Sequence, residues 1–122
     1  MMKSFHALVL MLVCALVAPS IHAADAASPV PAVRVFVTHE VTDYAAWRKA
    51  YDAFAPTQKK LGVTHQSVYQ SVDDPNMVVV EHDFASVEKA KAFLDSAELK
   101  GAMEKAGVKG APHILVTTPG KK

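Results

Sequence analysis

Two strand-like runs, VTHQSVYQSV from Val63 and NMVVVEHDF from Asn76, meet at Asp73-Asp74-Pro75-Asn76. Asp and Asn hydrogen-bond their own backbone through short side chains and Pro fixes φ, so this cluster between β-branched runs predicts a β-hairpin. A hairpin in mid-chain constrains both flanks, because each must supply elements that pack on it. Pairing Val72 with Met77 across the turn puts Val63, His65, Ser67, Tyr69, Val78, Val80, His82 and Phe84 on one face. Val68, Val72, Met77, Val79 and Glu81 then share the other.

One pattern, a strand joined to an amphipathic helix, lies on either side. Upstream, Val33, Val35, Val37, His39 and Val41 alternate with Arg34, Phe36, Thr38 and Glu40, the period of a strand with one apolar face. Asp43 is placed to cap a helix in which Tyr44, Trp47, Tyr51, Phe54 and Leu61 form one stripe, and Gly62 stops it. Pro56 costs about 3 kcal/mol in a helix interior, so a kink or break is expected near Ala55. Downstream, Ser86 caps a helix bearing Val87, Ala90, Phe93 and Leu94. Leu99, Ala102, Met103 and Ala106 fall out of phase with that stripe, which predicts two helical pieces with a bend near 95–98 and Ser96 as the second cap. Gly107 ends the second piece, and Gly110 and Pro112 lead into a last strand from His113 to Thr118.

The order β-α-β-β-α-β favours an α+β, ferredoxin-like solution: a four-stranded antiparallel sheet with its helices on one face. Helices cover one side of such a sheet, yet both faces of the hairpin are apolar. A second copy of the chain is the expected cover, hence a homodimer.

Residues 1–23 read as a signal peptide, with Lys3, an apolar run from Ala7 to Ala18, then Pro19 and small residues. Cleavage is expected between 23 and 26, giving a periplasmic or secreted protein; an uncleaved anchor is the alternative, against which the run is short for a span of about 20 residues. Residues 24–32 read as a disordered leader, 33–118 as the domain and 119–122 as a tail. Cleavage removes one of the 13 basic residues and none of the 12 acids, so the formal charge falls to zero. No basic stripe remains for a nucleic acid. The single cysteine, Cys14, leaves with the signal peptide, and Leu12-Val13 before it lack the small residue of a lipid-anchor signal. The remaining chain therefore has no disulfide, no cysteine nucleophile and no cysteine metal ligand.

His39, His65, His82 and His113 all fall on strands, and in the register above His65, His82 and Tyr69 share a face. Two imidazoles and a phenol on one cavity can relay a proton or hold a metal. The plainer reading is that strand histidines near sheet ends sit half exposed and idle. No HxH or HxxxH spacing supports a metal, and none is expected. Trp47, Tyr51 and Phe54 can line a planar ligand's site, although at helical spacing they serve equally as core. Glu81 and Asp83 flank His82, where carboxylates alternating along a strand usually mark its solvated end.

The runs DYAAWRKAYDAFAPTQKKLGV, SVYQSVDDPNMVVVEHDF and SVEKAKAFLDSAELKGAMEKAGVKGAP resemble small antibiotic-biosynthesis-monooxygenase-like domains of the dimeric α+β barrel superfamily. The resemblance spans about residues 33 to 118. It implies that two sheets face each other across a dimer, with ligands held between sheet and helices; Glu40 and Arg34, which share a strand face with Phe36, then read as an ion pair at the barrel rim. Some members are cofactor-independent monooxygenases or isomerases acting on aromatic or quinone-like compounds; others bind haem through a histidine on or near the second helix. Ser86 to Ala106 contains no histidine, so no cofactor is expected. On this reading His82 or His65 removes a proton, Tyr69 holds the resulting oxyanion, and Trp47, His39 and Tyr51 surround an apolar or aromatic ligand. The competing reading is a non-catalytic ligand-binding or assembly module. A pocket reaching His65, His82 and Tyr69 together favours the enzyme, and a closed, dry interface favours the module.

Overall fold

The computed structural model describes residues 30–122. The expected signal peptide, its cleavage site and most of the leader lie outside the described residues. Four strands and three helices follow in the order β1 (Val33–Val41), α1 (Tyr44–Lys60), β2 (His65–Gln70), β3 (Met77–Phe84), α2 (Val87–Leu94), α3 (Ala97–Lys105) and β4 (Val108–Thr117). The strands form one antiparallel sheet ordered β2-β3-β1-β4, the ferredoxin-like α+β arrangement. Among the described residues no helix is long and apolar enough to cross a membrane.

The alternation of β1 decides which face the helices cover. Val33, Val35, Val37, His39 and Val41 are buried, and their apolar members form the core with Val78, Val80 and Phe84 of β3, Trp47 and Tyr51 of α1, and Ala90 and Phe93 of α2. At about 25 cal/mol per Å² of apolar surface removed from water, each such valine contributes roughly 1.5–3 kcal/mol. The helix starts form as expected. Asp43, Ser86 and Ser96 accept from the backbone N–H of Ala46, Lys89 and Leu99. Gly107 closes α3 at φ 77°, where a Cβ would also stand 2.6 Å from Thr42 Oγ1.

Five expectations are corrected. Helix α1 runs unbroken through Pro56. Pro56 and Asp52 are both exposed, so the Asp52 carbonyl that loses its helical partner can turn to water. Strand β4 begins at Val108 rather than His113, because Glu40 pairs with Lys109 and Thr38 with His113, and Gly110 to Pro112 bulge out between them on an edge strand. Arg34 does not pair with Glu40. Its Nε and Nη2 meet Asp83 at 2.7 and 3.0 Å and its Nη1 meets Glu81 at 2.8 Å, while Glu40 pairs with Lys109 at 3.0 Å. Glu81 and Asp83, expected at a solvated strand end, are buried by that network.

The fifth correction is the hairpin register. Gln70 pairs with Val78 and His65 with Asp83, one residue out of step with a Val72 to Met77 pairing. Polar side chains in the loop cause the slip. Ser71 Oγ accepts from Asp73 N–H, and Asp74 Oδ1 accepts from Asn76 N–H. Asn76 is tied to the β1-α1 corner as well, its carbonyl accepting from Val41 N–H at 2.8 Å and its Oδ1 from Tyr44 N–H at 3.0 Å. Val72, 98% exposed, is pushed out of the ladder, and the connection gains one residue. Because side chains alternate every residue, the slip moves His65, Ser67 and Tyr69 to the uncovered face, with Glu81 and Asp83. Gln66 and Val68 turn toward the helices instead. The uncovered face is consequently less apolar than expected: Phe36, Val79 and Leu115 surround an ion-pair network.

Candidate functional site

A cavity of about 50 Å³ lies between sheet and helices. Its floor is Val37 and His39 of β1 with Val80 and His82 of β3; Trp47, Tyr51, Phe54 and Gln58 of α1 form one wall, and Leu99 and Met103 of α3 belong to the other. The helical stripe explains the aromatic wall. Trp47 stacks on Tyr51 at 4.9 Å between centroids, Tyr51 lies nearly parallel to His82 at 6.0 Å, and His39 meets Trp47 edge-on at 5.5 Å.

One hydrogen-bonded chain crosses this wall. Tyr51 OH donates to Gln66 Oε1 at 2.9 Å and lies 2.8 Å from His82 Nε2. With the phenol proton committed to Gln66, His82 Nε2–H is the donor to Tyr51 and Nδ1 keeps its lone pair, an assignment made from the network. Burial holds His82 at about 4, opposed in part by the Asp83 charge, and lowers His39 as well. Burial also pushes the Tyr51 phenol up to about 12. At neutral pH the cavity therefore presents two neutral imidazoles and a protonated phenol.

Among the described residues, the buried side-chain nitrogen and oxygen atoms without a hydrogen-bond partner are His39 Nδ1 and Nε2, His82 Nδ1 and Gln58 Oε1. All three residues wall this cavity. Leaving one such group unpaired costs roughly 1–3 kcal/mol, and native proteins keep few of them. All of them converge on one space. The space holds a few waters but is too small for an aromatic ring unless a wall moves. Helix α3 is the wall that can yield: it has no buried residue, carries Gly101 in its interior and contributes the flexible Met103.

His82, Trp47, His39 and Tyr51, singled out from the sequence, thus meet at one cavity. His65 and Tyr69 do not join them. Tyr69 is half exposed on the opposite face and donates to Glu81 Oε2 at 3.0 Å, while His65 lines a separate open groove. The register slip is the cause of both. Gln58 was missed although its signal was present, since it sits four residues after Phe54 and seven after Tyr51, a lone polar side chain on the apolar stripe. Gln66 carried no such signal, because its direction depends on the register. No three His, Cys, Asp or Glu side chains among the described residues converge as a metal set.

The sequence matches no family model and no curated protein. Solved structures do resemble the chain. A protein from Bordetella bronchiseptica described as an antibiotic biosynthesis monooxygenase superposes with a TM-score of 0.64 at 13% identity, covering 73% of this chain and 97% of that one. SnoaB from Streptomyces nogalater, a cofactor-independent oxygenase, gives 0.62 at 12% identity over 74% and 94%. A Caulobacter crescentus protein described in the same terms as the first gives 0.60 at 20% over 73% and 90%. The fold is that of the antibiotic-biosynthesis-monooxygenase-like domains, and identities this low speak for the fold alone.

Proposed function

We propose that this chain handles a small, planar, largely apolar molecule carrying at least one oxygen substituent, as a cofactor-independent monooxygenase or isomerase of aromatic or quinone-like compounds. The observation that carries the reading is the convergence of unpaired His39, His82 and Gln58 atoms on an aromatic-walled cavity. A ligand hydroxyl or carbonyl there would satisfy groups that the protein itself leaves unpaired.

In this reading His82 is the base. Its Nδ1 lone pair takes a proton from a phenolic O–H or activated C–H; a group titrating near 4 is a weak base, but in a largely apolar cavity the imidazolium is stabilised by the anion it has just made. Tyr51 positions His82 through the 2.8 Å contact, and neutral His39 supplies the one N–H that holds the developing oxyanion. Tyr69 and His65 drop out of the earlier assignment. For a monooxygenase acting on a ring methylene, dioxygen supplies both oxygen atoms: one becomes the carbonyl, the other leaves as water with the two displaced hydrogens, and the four electrons come from the carbon. No further reductant is needed. A binding module that never turns over is the second reading, favoured by the small size of the cavity.

Two further parts of the proposal lie away from the cavity. A second copy covers the open sheet face, for which exposed Leu115 beside Phe36 is the support, and the chain is exported after losing residues 1–23. The test of the site is emission from Trp47, the only tryptophan. Saturable quenching by 2-naphthol and anthrone, with oxygen uptake for the latter, whose ring methylene is the reacting carbon, is the expected result. No quenching by either compound refutes the reading.

A further inference from the structure

Outside the aromatic cavity, an open groove of about 680 Å³ lies where the end of α1, the start of β2 and the start of α2 come together. Its lining includes Lys59, Lys89 and His65 and contains no carboxylate. Neither lysine is ion-paired among the described residues. Lys59 has a local role in the last turn of α1, where a cation answers the negative end of the helix dipole. Lys89 has none. It sits in the first turn of α2, where the dipole disfavours a cation, and its stem runs beside Gly62, a Cβ there falling at an ordinary contact distance of 3.7 Å from Lys89 Cβ and Cδ. A local rule broken without a compensating partner suggests a partner that is absent.

The groove and the cavity share a wall. Gln58 is 2% exposed, walls both spaces and leaves its Oε1 unpartnered between them. Gln66 lines the groove and accepts the Tyr51 hydroxyl proton from the cavity side. These two amides are the partition, and both can exchange one hydrogen bond for another as a ligand passes.

We propose that the groove is the vestibule of the aromatic cavity and selects ligands with an anionic arm, the ring lying against Trp47 and Tyr51 and a carboxylate or similar anion resting between Lys59 and Lys89. This deepens the reading under Proposed function and rests on it: the substrate class narrows to aromatic or quinone-like acids. The salt-sensitive attraction of two exposed ammonium groups also draws such ligands toward the opening.

The test compares 3-(4-hydroxyphenyl)propionate with its primary amide, followed by Trp47 quenching on the full domain. At low salt the acid binds about tenfold more tightly than the amide, the gain of two favourable charge contacts. The preference shrinks toward unity in 0.5 M salt. A Lys59→Ala, Lys89→Ala double variant removes it, the acid and amide affinities converging. A Lys60→Ala control, altering a lysine of the same helix turn that does not line the groove, keeps it. Equal binding of acid and amide by the unaltered protein overturns the vestibule and leaves the aromatic cavity standing. Absence of quenching by either compound, together with silence toward 2-naphthol, overturns both.

Discussion

Acidification should weaken this fold through His82 in a way that one substitution removes. Burial holds His82 at about 4 in the fold against about 6.5 in the unfolded chain, so between those values the unfolded state binds the additional proton. Stability from this group is therefore fully present above pH 6.5 and is lost as pH falls toward 4. The full gap corresponds to roughly 3 kcal/mol, of which about 2 kcal/mol is lost between pH 7 and pH 5. His39 is lowered too and adds to the same trend. Replacing His82 by Phe keeps a flat ring against Tyr51 and Phe93 and leaves the Tyr51 hydroxyl its bond to Gln66. Urea denaturation followed by Trp47 emission, at fixed protein concentration and at pH 7, 6 and 5, gives the two curves. Carboxylates common to both proteins cancel in the difference, and the pH 7 to 5 loss should be about 2 kcal/mol smaller in His82→Phe. Parallel curves for the two proteins would refute the assignment of a buried, neutral His82.

Gln58→Leu removes a buried oxygen that has no partner while keeping the side chain's bulk, so it should stabilise the domain by about 1 kcal/mol in the same assay and weaken binding of 2-naphthol. The mature domain should scatter light with twice its monomer mass at micromolar concentration; Leu115→Asp, which puts a carboxylate beside Phe36 on the uncovered face, should return it to monomer, and a monomeric unaltered protein would remove the dimer from the account. Expressed with its full leader in a bacterial host, the protein should be recovered from the periplasm with a first residue between Ala24 and Ala27, and an intact Met1 in the membrane fraction would mark residues 1–23 as an anchor instead.

Elements whose signal is local were legible in the sequence. The alternation of β1, the Asp43, Ser86 and Ser96 caps and the Gly62 and Gly107 stops each depend on a few neighbouring residues, and each forms where expected. The hairpin was legible as a hairpin but not in its parity. Whether Val72 belongs to the strand or to the loop is decided by hydrogen bonds of Ser71 and Asp74 within the loop and of Asn76 to Val41 and Tyr44, the last across 32 residues. A β-branched residue at that position gives no hint of the outcome. The site inherited the error. His39, Trp47 and Tyr51 lie on elements whose faces are set by their own periodicity, and His82 lies on a strand anchored to β1, so all four converge. His65 and Tyr69 depend on β2, whose face only the loop decides. Pro56 and the Gly110 to Pro112 bulge exceed local rules for another reason: Asp52, whose carbonyl loses its helical partner to Pro56, is exposed, and β4 is an edge, so what the chain leaves open can face solvent.

The central claim is that His39 and His82 wall a small-molecule cavity with ring nitrogens awaiting a polar partner. Nitrogen NMR of the histidine side chains, recorded from pH 7.5 to pH 4.5 with and without 2-naphthol, tests it directly. The account predicts that His82 stays neutral down to about pH 4, and that 2-naphthol shifts His82 Nδ1 and His39 while leaving His65 and His113 in place. A His82 that protonates near 6.5, with neither His39 nor His82 responding to 2-naphthol, would contradict it.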